Sequence, residues 1–215
     1  DANVVIEIGA AASVQGELRA DDGKPMNFKE MMVSLQPLDE RGGSPSGVID
    51  EKGRFAVPNV LPGRYSVTLA TRDRDVYLKE ARCRGQDVLA GWITMNSAEV
   101  VDDCSLKAAR DAGRVVGIVK QDDKPAEGMA VVLIPVEFER RKLARHVSLA
   151  QTDANGAFEL RGVIPGEYYA FAVTPSDDAI YYQLEFAERN RESATRVSVK
   201  PGELLSVELK TVKIR

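Results

Sequence analysis

The chain is poor in the residues from which active sites are assembled. Its 215 residues include one histidine, one tryptophan and two cysteines, and aromatic residues make up 6%. A lone histidine, His146, cannot furnish a two-histidine metal site, and no Gly-x-Ser-x-Gly elbow or free thiol accompanies it to build a triad. Neither Cys83 nor Cys104 has a second Cys or a His near it in sequence, so zinc is not expected. There is no excess of positive charge either: 29 Lys and Arg stand against 33 Asp and Glu, a net charge of −4. Nucleic acid, which asks for a basic footprint, is therefore not an expected partner. No apolar run approaches the roughly 18 residues that read as a membrane-spanning helix. The expectation is no enzyme and no cofactor. The sequence starts at Asp1 without Met, which reads as a processed protein or an excised piece of a longer one.

What the chain does have is a repeat. The stretch GRFAVPNVLPGRYSVTL, residues 53–69, returns as GAFELRGVIPGEYYAFAV, residues 156–173. Upstream, Val14-Gln15-Gly16-Glu17-Leu18 returns as Val115-Val116-Gly117-Ile118-Val119, and Met31–Leu38 matches Met129–Val136. A unit of about 100 residues is too long for a solenoid repeat and fits an independent domain. Residues 13–110 and 111–215 are expected to be two copies of one domain. Residues 1–12, with Val4-Val5-Ile6-Glu7-Ile8, read as a leading strand or linker from a preceding domain.

Within each copy the apolar residues alternate. Val14, Gly16 and Leu18, then Met31, Val33 and Leu35, then Phe55 and Val57, show the two-residue period of half-buried strands. Asp50-Glu51-Lys52-Gly53 and Asp153-Ala154-Asn155-Gly156 carry an Asp that can bond backbone amides and a Gly that accepts positive φ. Leu61-Pro62-Gly63 and Ile164-Pro165-Gly166 read as Pro-Gly type II turns, each followed by a strand led by tyrosine, Tyr65 or Tyr168. Short alternating strands with turns at regular spacing define an all-β sandwich. Helical character is expected only after Asp177.

These motifs resemble the carboxypeptidase regulatory-like domain, a transthyretin-like (prealbumin-like) sandwich. The resemblance rests on Gly16 or Gly117 in the early strand, on Thr152-Asp153-Ala154-Asn155-Gly156-Ala157-Phe158, and on Pro165-Gly166-Glu167-Tyr168. Copy one departs from it with Ile49-Asp50 where Thr-Asp is usual. The resemblance implies two tandem Greek-key β-sandwiches of about seven strands each, with a short helix in the second. It also implies an accessory module without catalytic residues, as in multi-domain exported bacterial proteins, since the zinc ligands of a metallocarboxypeptidase are absent. Fold collections group such sandwiches with carbohydrate-binding ones, a likeness of shape alone.

Four groups of residues are candidates for more than packing. Cys83 and Cys104 sit in strand-like segments of one copy, a pattern that favours a disulfide over a reduced buried pair and with it an oxidising compartment. His146 and the charge run Arg140-Arg141-Lys142 with Arg145 read as a solvated loop. Asp153 and Asn155 offer too few oxygens for calcium, which wants six to eight. The fourth group is a difference between copies. On the face of the tyrosine strand opposite the core, copy one places Ser66, Thr68 and Ala70, whereas copy two places Tyr169, Phe171 and Val173. Something must cover that apolar face. The favoured cover is the insert Pro175–Glu192, with Tyr181 and Tyr182, packed as a short helix. The alternatives are a ligand surface for sugar rings or a peptide, which Trp92 could join, and a contact between the domains.

The function expected from these residues is a non-catalytic structural or interaction module of a secreted, periplasmic or cell-surface protein. Its partners would be other domains of the same longer protein, with a polysaccharide or a protein as a further partner. A carbohydrate-binding module is the alternative, and an accessory domain of a peptidase the second.

Overall fold

The computed structural model describes residues 11–38, 43–141, 146–175 and 180–213, so the strand expected at Val4–Ile8 lies outside the described residues. The described chain is all-β apart from short helical turns. It divides into two compact units. The first runs to Asp73 and resumes over Leu78–Ala109, and the second takes Arg74–Tyr77 together with the chain from Arg110 onward.

The first unit contains β1 (Ala12–Ala20), β2 (Met32–Pro37), β3 (Ser46–Val48), β4 (Arg54–Val60), β5 (Gly63–Ala70), β6 (Tyr77–Cys83), β7 (Gln86–Asp87), β8 (Ile93–Met95) and β9 (Val100–Ala109). One sheet has the order β4-β1-β9-β6-β7 and the other β3-β2-β5-β8. The alternating side chains decide which face is inside: Val14, Leu18, Val33, Leu35, Val57 and Leu106 are all nearly inaccessible, at 0–1% exposure. β1 and β9 run parallel, Leu18 opposite Leu106, so the first and last strands of the unit lie side by side at its centre. Arg84 and Gly85, both with positive φ, form the two-residue hairpin loop between β6 and β7, a left-handed geometry that matches strand twist.

The second unit repeats this plan with β10 (Gly113–Gln121), β11 (Lys124–Pro125), β12 (Ala130–Pro135), β13 (Ser148–Gln151), β14 (Ala157–Val163), β15 (Gly166–Val173), β16 (Thr195–Val199) and β17 (Leu204–Lys210). β10 pairs with β14 and, in parallel, with β17, while the second sheet has the order β13-β12-β15-β16. Its core is Val115, Val119, Val131, Leu133, Phe158, Leu160, Tyr168 and Leu209 with their neighbours. The recurring glycine of the first strand has a direct cause. A Cβ on Gly16 would lie 2.0 Å from the Cys104 carbonyl oxygen, and one on Gly117 would lie 2.0 Å from that of Val207. Only glycine lets the first and last strands approach this closely.

The all-β sandwich of about seven strands is present in each unit, extended by the β6–β7 pair in the first and the two-residue β11 in the second. Two expectations are corrected. The Pro-Gly steps are not type II turns: Gly63 and Gly166 have φ of 159° and 157°, far from the roughly +80° a type II turn requires at that position, and each already pairs as the first residue of its strand. The insert after β15 is not one helix. It breaks into a 3-10 turn at Ile180–Tyr182, a helix at Phe186–Asn190 and a second 3-10 turn at Arg191–Ser193. Its expected start near Ser176–Asp178 lies outside the described residues.

Candidate functional site

The turns show why their residues recur. Asp50 Oδ1 accepts the amides of Lys52 and Arg54 at 2.9 and 2.8 Å, and Asp153 Oδ1 those of Asn155 and Ala157 at 2.8 and 2.9 Å. The Arg54 amide, followed by the Arg54 side chain, holds the Asp50 carboxyl below its ordinary range. The Asp153 oxygen is thus spent on the turn itself rather than on an ion. The tyrosine after each Pro-Gly ties the preceding corner: Tyr65 donates to the Leu61 carbonyl at 2.9 Å and Tyr168 to that of Ile164. Burial pushes the Tyr168 phenol up, with the nearby Arg140 opposing.

The apolar outer face of the second unit is assembled from two strands and the insert. β12 contributes Ala130, Val132 and Ile134, β15 contributes Phe171 and Val173, and the insert contributes Tyr181, Phe186 and Ala187, all buried in one cluster. Phe186 meets Phe171 edge-on with centroids 5.3 Å apart and Tyr181 at 5.6 Å. Such pairs add about 1 kcal/mol each to simple burial. The Tyr181 hydroxyl donates to the Thr174 carbonyl at 3.1 Å, and Asn190 Nδ2 donates to the Phe186 carbonyl at 2.9 Å. Tyr169 is half-buried at the margin, with the guanidinium groups of Arg141 and Arg196 at 5.6 and 5.8 Å from its ring centroid. Tyr182 is 44% exposed. Beside the cluster, a groove of about 310 Å³ is lined by Ala130, Leu149, Ala150, Gln151, Pro175 and Tyr181.

The expected solvated loop is corrected at three residues. The helix at Phe138–Arg141 brings Arg141 inward until it is 5% exposed. There its Nε and Nη2 donate to the carbonyls of Pro135 and Val136 at 2.6 and 2.5 Å, and its Nη1 pairs with Glu188 Oε1 at 2.6 Å. Arg141 therefore fastens the end of β12 to the helix of the insert, and its hydrogen bond holds the Glu188 carboxyl below the usual carboxylate range. His146 is also buried, at 5% exposure, and its Nδ1 accepts from Arg140 Nε at 3.1 Å. Arg140 further donates to the Pro165 carbonyl at 3.3 Å, so this arginine braces the Pro-Gly corner. Lys142 and Arg145 lie outside the described residues. Sequence reasoning missed Arg141 and its partner Glu188. The available signal was their place: one stands just after the strand whose outer face is apolar, the other inside the segment that covers it.

In the first unit, Cys83 and Cys104 form a disulfide spanning a sequence separation of 21, which ties β6 to β9. Trp92 is 48% exposed, and Arg64 stands over its ring at 5.4 Å. The structure thus gathers Phe171 and Tyr181 into one buried cluster, sets Tyr169 at its margin, and leaves Tyr182 and Trp92 at the surface of their respective units. Among the described residues no group of three or more His, Cys, Asp or Glu side chains is arranged to hold a metal ion, and no helix is long and apolar enough to cross a membrane.

No family model matches the chain, and no curated protein matches it. Solved structures similar to it include the minor pilin of Streptococcus agalactiae, at 13% identity and a TM-score of 0.38 over 95% of this chain and 98% of that one. A streptococcal ancillary pilin follows at 11% identity and a TM-score of 0.36, over 94% of this chain and 62% of that one. The Bacillus anthracis TIE protein gives 12% identity and a TM-score of 0.32 over 94% of this chain. The chain spans about a third of that protein's length, 34%. Likeness at this level defines neither a family nor a function.

Proposed function

We propose that the chain is a pair of non-catalytic β-sandwich modules, with limits near 13–110 and 111–215, that serve a structural and protein-contacting role in an exported or cell-envelope protein. The observation that carries this reading is where its chemically capable side chains spend their hydrogen bonds. Asp50 and Asp153 hold turn amides, Tyr65 and Tyr168 hold corner carbonyls, and Arg140 and Arg141 hold carbonyls and His146. Groups engaged in this way stabilise loops and are not presented to a substrate. The Cys83–Cys104 disulfide supports export, because such bonds persist in oxidising compartments. Within this reading the modules are of the carboxypeptidase regulatory-like kind. The support is that the Asp-x-x-Gly turn and the Pro-Gly-x-Tyr corner occupy equivalent places in both units and perform the same backbone tasks.

Exposed Trp92 and Tyr182 favour a second reading, a carbohydrate-binding module, in which aromatic faces stack on sugar rings. Single-molecule pulling and polysaccharide retention separate the two. A structural pair gives two unfolding events. In one of them a contour of about 7 nm, the 21 residue-to-residue steps from Cys83 to Cys104 at ~3.5 Å each, is released only after reduction. Specific retention on a polysaccharide, abolished by Trp92→Ala or Tyr182→Ala with the fold intact, overturns the structural reading in favour of the sugar one.

A further inference from the structure

The last strand of each unit lies parallel to the first, but its far side is finished differently. In the first unit β9 is flanked by β6, and its inward residues Val101, Cys104 and Leu106 are 2%, 4% and 0% exposed. In the second unit β17 pairs with β10 alone among the described residues; of the equivalents, Leu209 is 2% exposed, but Leu205 and Val207 are only partly buried. Among the described residues the backbone of that edge is open as well. The Glu203 carbonyl accepts from Arg114, and the Thr211 amide donates to Lys120, at 2.8 and 3.0 Å. Odd-numbered residues therefore turn their polar groups to β10, and Leu204, Ser206 and Glu208 turn theirs outward. Beyond Lys210 the edge closes, since the Val212 amide donates to the Ala172 carbonyl at 2.8 Å.

We propose that the β17 edge is a homodimer interface in which two copies of this chain pair β17 antiparallel to β17 about a two-fold axis at Ser206. The strand is self-complementary in that register. Leu204 faces Glu208, Ser206 faces itself, and Leu205 faces Val207, so no like charges stand opposite one another. All the outward amides and carbonyls of the open stretch find partners. Leu205 and Val207 of each copy cover those of the other, supplying the apolar flank that β6 supplies to β9. Glu208 is already neutralised within its own copy by Lys120, Nζ to Oε2 at 2.7 Å, and so brings little repulsion to the contact. A closed two-fold contact of this kind stops at the dimer.

Sedimentation velocity of the 215-residue chain, from micromolar concentrations to about 1 mM, tests the proposal together with amide exchange. The expected result is a dimer fraction that rises with concentration, with protection of the Leu204, Ser206 and Glu208 amides rising in step. Ser206→Pro deletes one outward N–H and no bond to β10, a position where an edge strand accepts proline; the dimer should be lost. Ser206→Lys sets two ammonium groups across the axis and should abolish the dimer at low salt, with partial recovery at high salt. Far-ultraviolet circular dichroism shows whether both variants are folded. A monomer throughout the range, a dimer that survives both substitutions, or a dimer without protection of the three amides overturns the proposal.

Discussion

The two units share one plan and differ most at one connection, the segment after the tyrosine strand. In the first unit that segment becomes β6, which extends a sheet sideways and is fastened to β9 by Cys83–Cys104. In the second it becomes a helical insert that covers a sheet face through Tyr181, Phe186 and Ala187. Each solution matches the strands beneath it. The outer face of β2 and β5 offers Ser34, Gln36, Ser66 and Thr68, where Gln36 Nε2 donates to Ser34 Oγ at 3.3 Å and Thr68 Oγ1 donates to the Ser34 carbonyl at 3.0 Å. This face carries few large apolar side chains, although Ser34 and Ser66 are themselves buried, at 9% and 5% exposure. The outer face of β12 and β15 offers Val132, Ile134 and Phe171, and would be a large apolar patch without a cover. The lesson is that the fate of a variable connection is set by the face it leaves behind, so both must change together.

The sharpest way to break the comparison is to remove the insert's anchor. Phe171 is fully buried between β12 and Phe186. Phe171→Ala should cost about 4 kcal/mol through lost transfer energy and an unfilled cavity, acting on the second unit and sparing the first. Denaturant unfolding with tryptophan emission for the first unit (Trp92) and circular dichroism for both would show this. A cost under ~1 kcal/mol would mean that the insert does not depend on the face. The matching experiment on the first unit is Cys83→Ser with Cys104→Ser. Freeing a loop with a sequence separation of 21 should cost about 3 kcal/mol on chain-entropy grounds, and it should shift the tryptophan-reported transition alone. If the circular dichroism of the second unit moves as much as the tryptophan signal, the two units are not independent and the comparison fails.

Much of this was legible in the chain. The repeat, the alternating strands, the Asp-x-x-Gly turns and the strand character around Cys83 and Cys104 are all local patterns, and local hydrogen bonds and alternation fix them. What escaped reading depends on partners distant in sequence. Arg141 belongs to a run of cations that any local rule assigns to water; it is buried because its donors meet the Pro135 and Val136 carbonyls and Glu188, 47 positions away. His146 is buried too, and its Nδ1 accepts from Arg140 only six positions away. The Pro-Gly steps were misjudged because their composition matches a turn type, while strand pairing of Gly63 with Met95 and Gly166 with Val199 pulls the glycine into extended backbone.

The smaller effects sit at the clamp that holds the insert down, and they sharpen the comparison because the first unit shows no equivalent among the described residues. Arg141→Met keeps the stem and deletes the donors, leaving two strand-end carbonyls and one carboxylate without their partner. The expected loss is ~2 kcal/mol in the second unit. Glu188→Gln should do far less, about 0.5 kcal/mol at neutral pH, because its side chain is 49% exposed and solvent screens the pair. Its signature is the pH dependence. Arg141 holds the Glu188 carboxyl below its ordinary value of 4.5, so the folded state binds the proton less readily than the unfolded chain does. The contribution is therefore fully present above pH 4.5 and fades as pH falls through the lowered folded value. The stability gap between wild type and Glu188→Gln, followed by urea unfolding from pH 6 downward, should close on the acid side. A gap that stays constant would locate the effect of the substitution in packing rather than in the ion pair, and the insert would then be held by its aromatic contacts alone.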